Sequence, residues 1–278
     1  MQRLEGKIVS DKVYAYTADQ AALYALGTGF GTSTDRRELI FTTEAGQRVS
    51  PTFLTVAIWD DTWLEREGLD LTHVVHGEQR VLLHDEPRPS GKLRGVVTIE
   101  KVFDKGRDKG ALFYVRTAIY DLERDTHLAD LHSTIFARGN GGFGGADGRT
   151  PELAPVPSRA PDISISQITL PQQALLYRLN GDRNPLHYDQ DFARSAGFDK
   201  PILHGLCSFG IAAASIVKAC CEYDRRRLHA FGCRFTGPIF PGETIETHIW
   251  QDERKVSFRS ISPERDVIVL DRGFAELA

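Results

Sequence analysis

Hydrophobic and polar positions alternate along most of this chain, and in a few places the alternation gives way to a helical period. Residues 17–26 and 169–179 carry apolar side chains at helix-like spacing, with Thr17 and Thr169 placed to cap them. Pro171 fits a first helical turn. From Gly205 to Cys221 the chain is small and apolar nearly all round (Ile211, Ala212, Ala213, Ala214, Ile216, Val217, Ala219), which predicts a buried helix. Strand-like runs follow at 230–235, 244–251, 255–261 and 267–277. The first half shows others at 80–83, 95–104, 111–122 and 128–138. Antiparallel strands curled round a buried helix make an α+β chain.

The pattern repeats. Ala22-Leu23-Tyr24-Ala25-Leu26-Gly27-Thr28-Gly29 runs parallel to Leu175-Leu176-Tyr177-Arg178-Leu179-Asn180-Gly181-Asp182, an offset of 153 residues (177 less 24). Arg80 through Pro87 echoes Arg234 through Pro241 at nearly the same offset. Self-similarity of this kind predicts two copies of one structural unit. The expected division is 1–138 for the first copy, 139–161 for a flexible linker rich in Gly and Pro, and 162–278 for the second copy. Glycine density in the linker does not make a phosphate loop, because no Gly-Lys-Ser/Thr follows.

The copies differ in their chemistry. Asp182, Asn184 and His187 crowd into six residues of the second copy, where Gly181 and Pro185 force a tight turn. A carboxylate and an imidazole aimed together from a rigid loop suit acid/base work on a bound water. At the same offset the first copy has Gly29, Gly31 and Thr34. One active site per chain is therefore expected, with the first copy supplying shape and room for a substrate tail.

Size and charge narrow the rest. The 278 residues are 41% hydrophobic and 26% charged, with a net charge of −4, so nonspecific nucleic-acid binding is not expected. No apolar run approaches the ~20 residues that span a bilayer. Met1 to Gly6 has no apolar leader segment, and Phe274 to Ala278 is no Ser-Lys-Leu-type signal. Cys207, Cys220, Cys221 and Cys233 form no Cys-x-x-Cys pair. They read as reduced core residues of a cytoplasmic protein, with no metal expected.

The segment Leu179-Asn180-Gly181-Asp182-Arg183-Asn184-Pro185-Leu186-His187, followed by Pro201-Ile202-Leu203-His204-Gly205-Leu206, resembles the signature of the MaoC-like, or hydratase-2, family. The likeness is greatest to the hydratase part of peroxisomal multifunctional β-oxidation enzymes. It extends through Tyr16-Thr17, His76-Gly77-Glu78-Gln79, the Gly-Gly-Phe-Gly-Gly linker and Arg234 to Gly242. Three positions depart from the family's usual pattern: Asn180 for Ser, Arg183 for Trp or a similar residue, and Gln190 for Pro.

The resemblance implies a double hot-dog fold and reversible hydration of a trans-2-enoyl-CoA to the (R)-3-hydroxyacyl product. Asp182 and His187 would divide the proton transfers, and Asn184 would hold the site in register. The Gly205 amide, at a helix start, would meet the oxyanion. Arg183, His204 and Tyr177 are the expected substrate contacts. No separate cofactor is implied, since coenzyme A arrives as part of the substrate, and a homodimer is expected. The alternatives are a 3-hydroxyacyl-ACP dehydratase, an acyl-CoA thioesterase and a non-catalytic acyl-CoA-binding module.

Overall fold

Residues 1–69 and 73–278 are described by a computed structural model. Among them, β1 (Ile8–Tyr16), β2 (Val74–Leu83), β3 (Gly91–Asp104), β4 (Ala111–Asp121) and β5 (Thr126–Ala137) come from the first half of the chain. Strands β6 (Ile163–Ile168), β7 (Leu228–Phe235), β8 (Thr244–Asp252), β9 (Lys255–Ser262) and β10 (Val267–Leu277) come from the second. They join in one 10-stranded sheet, ordered β1-β3-β4-β5-β2-β7-β10-β9-β8-β6. Read outward from the β2/β7 junction, both sets have the same order.

All neighbours pair antiparallel. At the junction Glu78 lies opposite Arg234 and Val81 opposite Phe231. Alternation along the strands is evident in β9, where every second residue is buried. The sheet thus has one face on a core and one toward solvent. Strands β1 and β6, both at sheet edges, escape the sequence reading; Ile8 and Val13 in β1 and Ile168 in β6 are exposed.

The helices are α1 (Ala18–Gly27), α2 (Arg36–Leu39), α3 (Leu54–Ala57), α4 (Thr62–Arg66), α5 (Gln173–Tyr177), α6 (Gln190–Ser195) and α7 (Gly205–Cys220). Thr17 caps α1 in a capping box with Gln20, as its sequence predicts. Helix α5 is shorter than expected and its N-cap is Gln172. Thr169 instead donates its hydroxyl to the Glu243 carbonyl (2.7 Å) and accepts from the Gly242 amide (3.0 Å), so it ties β6 to the turn before β8.

All of α7 except Gly205, Lys218 and Ala219 is buried, with Phe209 packed on Phe231, ring centroids 4.7 Å apart. Each buried phenyl ring contributes about 2 kcal/mol of transfer free energy. Among the described residues the first half has no matching long helix. The fully buried Leu54, Thr55 and Val56 of α3 stand there, flanked by Phe53 and Ile58 in the same core.

That core spans both halves: Tyr24, Phe53, Tyr177, Phe209 and Phe231 belong to one apolar cluster. The Gly27 carbonyl accepts from Gln173 Nε2 (2.7 Å), and Lys218 Nζ donates to the Gly29 carbonyl (2.7 Å). At Gly210 an added Cβ would lie 2.4 Å from Thr28 Cγ2, so α7 and α1 approach closely only because this residue has no side chain.

At the Gly29–Thr34 turn Phe30 and Phe41 stack at 4.3 Å, both fully buried. The Gly-rich segment is docked at its start rather than free. Asp104 Oδ1 accepts from the Gly142 amide (2.7 Å), and its Oδ2 accepts from those of Gly144 (2.7 Å) and Gly145 (3.3 Å).

Candidate active site

The 3-10 turn Arg178–Asn180 that continues α5 ends at Gly181, whose φ of 132° only glycine adopts readily. A Cβ there would also lie 3.3 Å from Trp59 Cβ. The first half therefore packs directly against this turn. Asp182 follows, its Oδ1 accepting from the Asn184 amide (3.2 Å). Asn184 caps the 3-10 turn Pro185–His187, with its Oδ1 accepting from the Leu186 amide (3.0 Å). Its Nδ2 makes no hydrogen bond to other described residues, so two donors remain for a ligand.

Two chain segments are clasped here. His187 Nδ1–H donates to the Ile202 carbonyl (2.9 Å), and His204 Nε2–H donates to the Asp182 carbonyl (3.2 Å). A carbonyl only accepts, so each bond fixes a tautomer. His187 is left with a free lone pair at Nε2 and His204 with one at Nδ1. The rings stack, centroids 3.6 Å apart and planes 25° from parallel. Tyr177 packs on the far side of this pair, 4.9 Å from the His204 ring. His204 Nδ1 and the Tyr177 hydroxyl are both buried and make no hydrogen bond.

Burial sets the charges. It lifts the Asp182 carboxyl from 3.8 to about 6, opposed by the Asn184 amide and aided by nearby Asp61. It also lowers His187 to about 4 and His204 to about 2, the latter helped by His187 itself. At neutral pH the site holds a carboxylate that takes up a proton easily, beside two neutral imidazoles.

Helix α7 begins beside them. His204 is its N-cap, with no side-chain capping bond. The Gly205 amide has no helical partner, as at any helix start, and Gly205 is exposed. The Phe235 ring lies 3.3 Å from where a Cβ on Gly205 would stand, and His76 packs on that ring at 4.9 Å. A side chain at position 205 would therefore crowd the Phe235 ring.

The structure brings together Asp182, Asn184, His187, His204 and the start of α7. Tyr177, expected at the substrate, is fully buried behind His204. Arg183 is exposed and makes no hydrogen bond or ion pair with described residues. Trp59, Asp61, His76 and Phe235 are neighbours that the sequence reading missed. They reach the site through the packing of distant segments, which no local pattern records.

One ligand-capable atom from each of Asp182, His187 and His204 lies within 4.8 Å of the others, a spacing that a cation could also use. Stacking argues against chelation, because lone pairs in two nearly parallel ring planes run side by side and do not converge. His84, His127 and Asp130 form a second such group, although the sequence showed no clustering of these histidines. There Arg116 Nε (2.8 Å) and His84 Nε2 (2.9 Å) already hold the Asp130 carboxylate.

Comparison with known proteins gives the family and the fold. Residues 152–272 match the family described as "MaoC like domain", and residues 14–139 match the "MFE-2 hydratase 2 N-terminal domain". An enoyl-CoA hydratase, ChsH3, of Mycobacterium tuberculosis is 38% identical over 268 residues, 94% of this chain and 92% of that protein. The crystal structure of a MaoC-like dehydratase from Phytophthora capsici superposes with a TM-score of 0.87 at 32% identity, over 100% of this chain and 98% of that one. A second Mycobacterium tuberculosis protein, described as a double hot-dog fold, superposes with a TM-score of 0.60 at 16% identity, over 98% of this chain and 96% of that one. The fold is the double hot dog.

Proposed function

This chain belongs to the MaoC-like, hydratase-2 family, and on that premise we propose that it is an (R)-specific 2-enoyl-CoA hydratase, working equally as a 3-hydroxyacyl-CoA dehydratase. The observation that carries the reading is the meeting of the Asp182 carboxylate and the His187 ring within 4.8 Å on one rigid turn, next to the unpaired amide of Gly205.

Asp182 is the proton carrier. With its carboxyl near 6 it is mostly ionised at neutral pH, yet basic enough to take a proton from water. His187 Nε2 has no proton to give, and its Nδ1–H is committed to Ile202. Its free lone pair accepts a hydrogen bond from the same water and orients it. The water oxygen bonds to C3 as its proton passes to Asp182, and the C2=C3 electron pair moves onto the thioester oxygen. The Gly205 amide and the dipole of α7 stabilise that oxyanion, a contribution of about 3 kcal/mol for one such donor. Asp182 then returns its proton to C2. Dehydration runs the same steps in reverse.

The donors of Asn184 face no protein partner and serve the water or the substrate. The exposed Arg183 serves the carrier arm of the thioester, and Tyr177 acts by supporting His204. In this division residues 162–278 carry the chemistry. Residues 1–138 press Trp59 and Asp61 against the turn, and 139–161 join the two.

The substrate is the acyl-CoA thioester, with no further cofactor, and the working unit is a homodimer. Among the described residues no helix is long and apolar enough to cross a membrane. The four cysteines are free and buried, which suits a reducing compartment, and we place the protein in the cytoplasm.

The test is loss of enoyl absorbance on adding trans-2-enoyl-CoA, with the product offered to (S)- and (R)-specific hydroxyacyl-CoA dehydrogenases. Oxidation by the (R)-specific enzyme alone is expected. Release of free thiol without hydration would make the protein a thioesterase. Light scattering on the eluting protein tests the dimer.

A further inference from the structure

The mechanism above asks His204 to move no proton, yet the side chain is 1% exposed at the centre of the site. Three of its features each meet a different part of the machinery. Its Nε2–H donates to the backbone carbonyl of Asp182 (3.2 Å). The face of its ring lies on His187 at 3.6 Å. Its own backbone is the N-cap of α7, immediately before Gly205.

The link runs both ways. His187 Nδ1–H reaches back to the Ile202 carbonyl, two residues before His204, and the Ile202 amide donates to the Leu186 carbonyl (3.4 Å). Each segment thus lends a histidine to the backbone of the other. An ordinary N-cap residue turns its side chain back onto its own helix. His204 makes no such bond and spends its donor across the gap instead.

From this geometry we infer that His204 is the positioning residue that locks the Asp182 carboxylate, the His187 ring and the Gly205 amide into one frame. A flat ring is needed to seat His187, and an N–H at the far end of that ring is needed to reach Asp182. Histidine supplies both. Charging the ring would place a cation against His187 and Arg178 in a buried site, so the frame also requires the ring to stay neutral. The inference rests on Asp182 and His187 being the reacting pair. The titratable groups that face His204 are His187 and Asp182 from the catalytic turn, with Tyr177 and Arg178 from the end of α5.

Two variants separate the two contacts. H204F keeps a flat ring and loses the donor, whereas H204Q keeps a donor and loses the ring. With a trans-2-enoyl-CoA substrate, kcat is expected to fall roughly 100-fold in H204F and about 10-fold in H204Q, while KM stays within about 3-fold in both. The acid limb of kcat, set by Asp182 near pH 6 in the unmodified protein, stays in place in H204F, because burial and not His204 raises that carboxyl. Equal losses of kcat in the two variants, a loss carried by KM instead of kcat, or no loss in either variant would overturn the inference.

One measurement depends neither on turnover nor on whether the variants fold. NMR of the unmodified protein, 15N-labelled in histidine, should show His204 as the Nε2–H tautomer and neutral from pH 8 down to pH 5. An Nδ1–H tautomer, or titration in the ordinary histidine range, refutes the inference. If the unmodified protein hydrates no enoyl thioester, the proposed function fails, while this tautomer result still decides whether the clasp exists.

Discussion

The Tyr24 and Tyr177 rings meet 6.0 Å apart, both fully buried, at matching places in the two repeats. The seam between the halves runs through them. Their polar ends differ, because Tyr24 donates its hydroxyl to Thr52 Oγ1 (3.0 Å) while the Tyr177 hydroxyl is buried without a partner. Burial raises the Tyr177 phenol well above its ordinary range, so it stays protonated. Removing a partnered group strands its neighbour, and removing an orphan strands nothing. Tyr24→Phe is expected to cost about 1 kcal/mol, and Tyr177→Phe to be neutral or stabilising by up to about 1 kcal/mol. Urea unfolding of both variants checks the difference in sign.

Asp182→Asn should trade activity for stability. The folded protein holds this carboxyl near 6 against an ordinary 3.8, so it binds the proton more tightly than the unfolded chain. Stability from this group is therefore present at low pH and lost as pH rises from about 4 through about 6. An amide in its place carries no such loss. The variant is expected to be more stable than the parent at pH 7.5 by on the order of 2–3 kcal/mol, with no difference at pH 4. Its kcat should fall by roughly 1,000-fold or more. Denaturation at both pH values, alongside enoyl absorbance assays, measures the two effects.

Activity should follow the same carboxyl. His187 and His204 are held neutral down to about 4 and about 2 by burial, so neither titrates between pH 5 and 8. kcat/KM is expected to fall tenfold per pH unit below about 6, as Asp182 takes up its proton. Because the groups touch, the measured value belongs to the cluster as a whole. A pH profile from 4.5 to 9 with one limb near 7 would assign the limb to a histidine instead.

Gly210→Ala should loosen the contact between α7 and the first half. The added methyl carbon would stand 2.4 Å from Thr28 Cγ2 and 2.9 Å from the Tyr24 hydroxyl, so one of them must move. Overpacking of this kind costs about 1–3 kcal/mol. A lowered urea midpoint with an unchanged slope would show it.

Glu78 stands at the β2/β7 junction, nearly buried, with Arg234 Nε at 2.9 Å and Nη2 at 2.6 Å on Oε1, and Arg80 Nη2 at 3.3 Å on Oε2. Glu78→Leu leaves two guanidinium groups without their carboxylate. Arg234 is half exposed, which softens the loss, so the cost is expected at about 1–3 kcal/mol rather than that of a fully buried pair. Thermal unfolding at low and high salt measures it, with the larger difference from the parent expected at low salt.

Local order fixed much of this protein in advance. The turn from Gly181 to His187 was legible because its backbone needs and its chemistry sit in seven consecutive residues. Helices α1 and α7 declared themselves by period and apolarity, and the repeat was visible because Tyr24 and Tyr177 kept their spacing. Strands β1 and β6 were not read, although Ile163 and Ile165 alternate with Ser164 and Ser166 in β6; which strands stand at the sheet edges is decided by the tertiary pairing. Other facts belonged to the tertiary structure alone. Phe30 and Phe41 stack in the core behind the Gly29–Thr34 turn, and among the described residues a four-residue helix stands in the first half where the second has a long one. His204 turns from a suspected substrate contact into half of a clasp, and Trp59 closes on Gly181. Each of these depends on which distant segments meet and how much water they exclude. Burial, which sets Asp182 near 6, is a property of that packing, and no spacing along the chain records it.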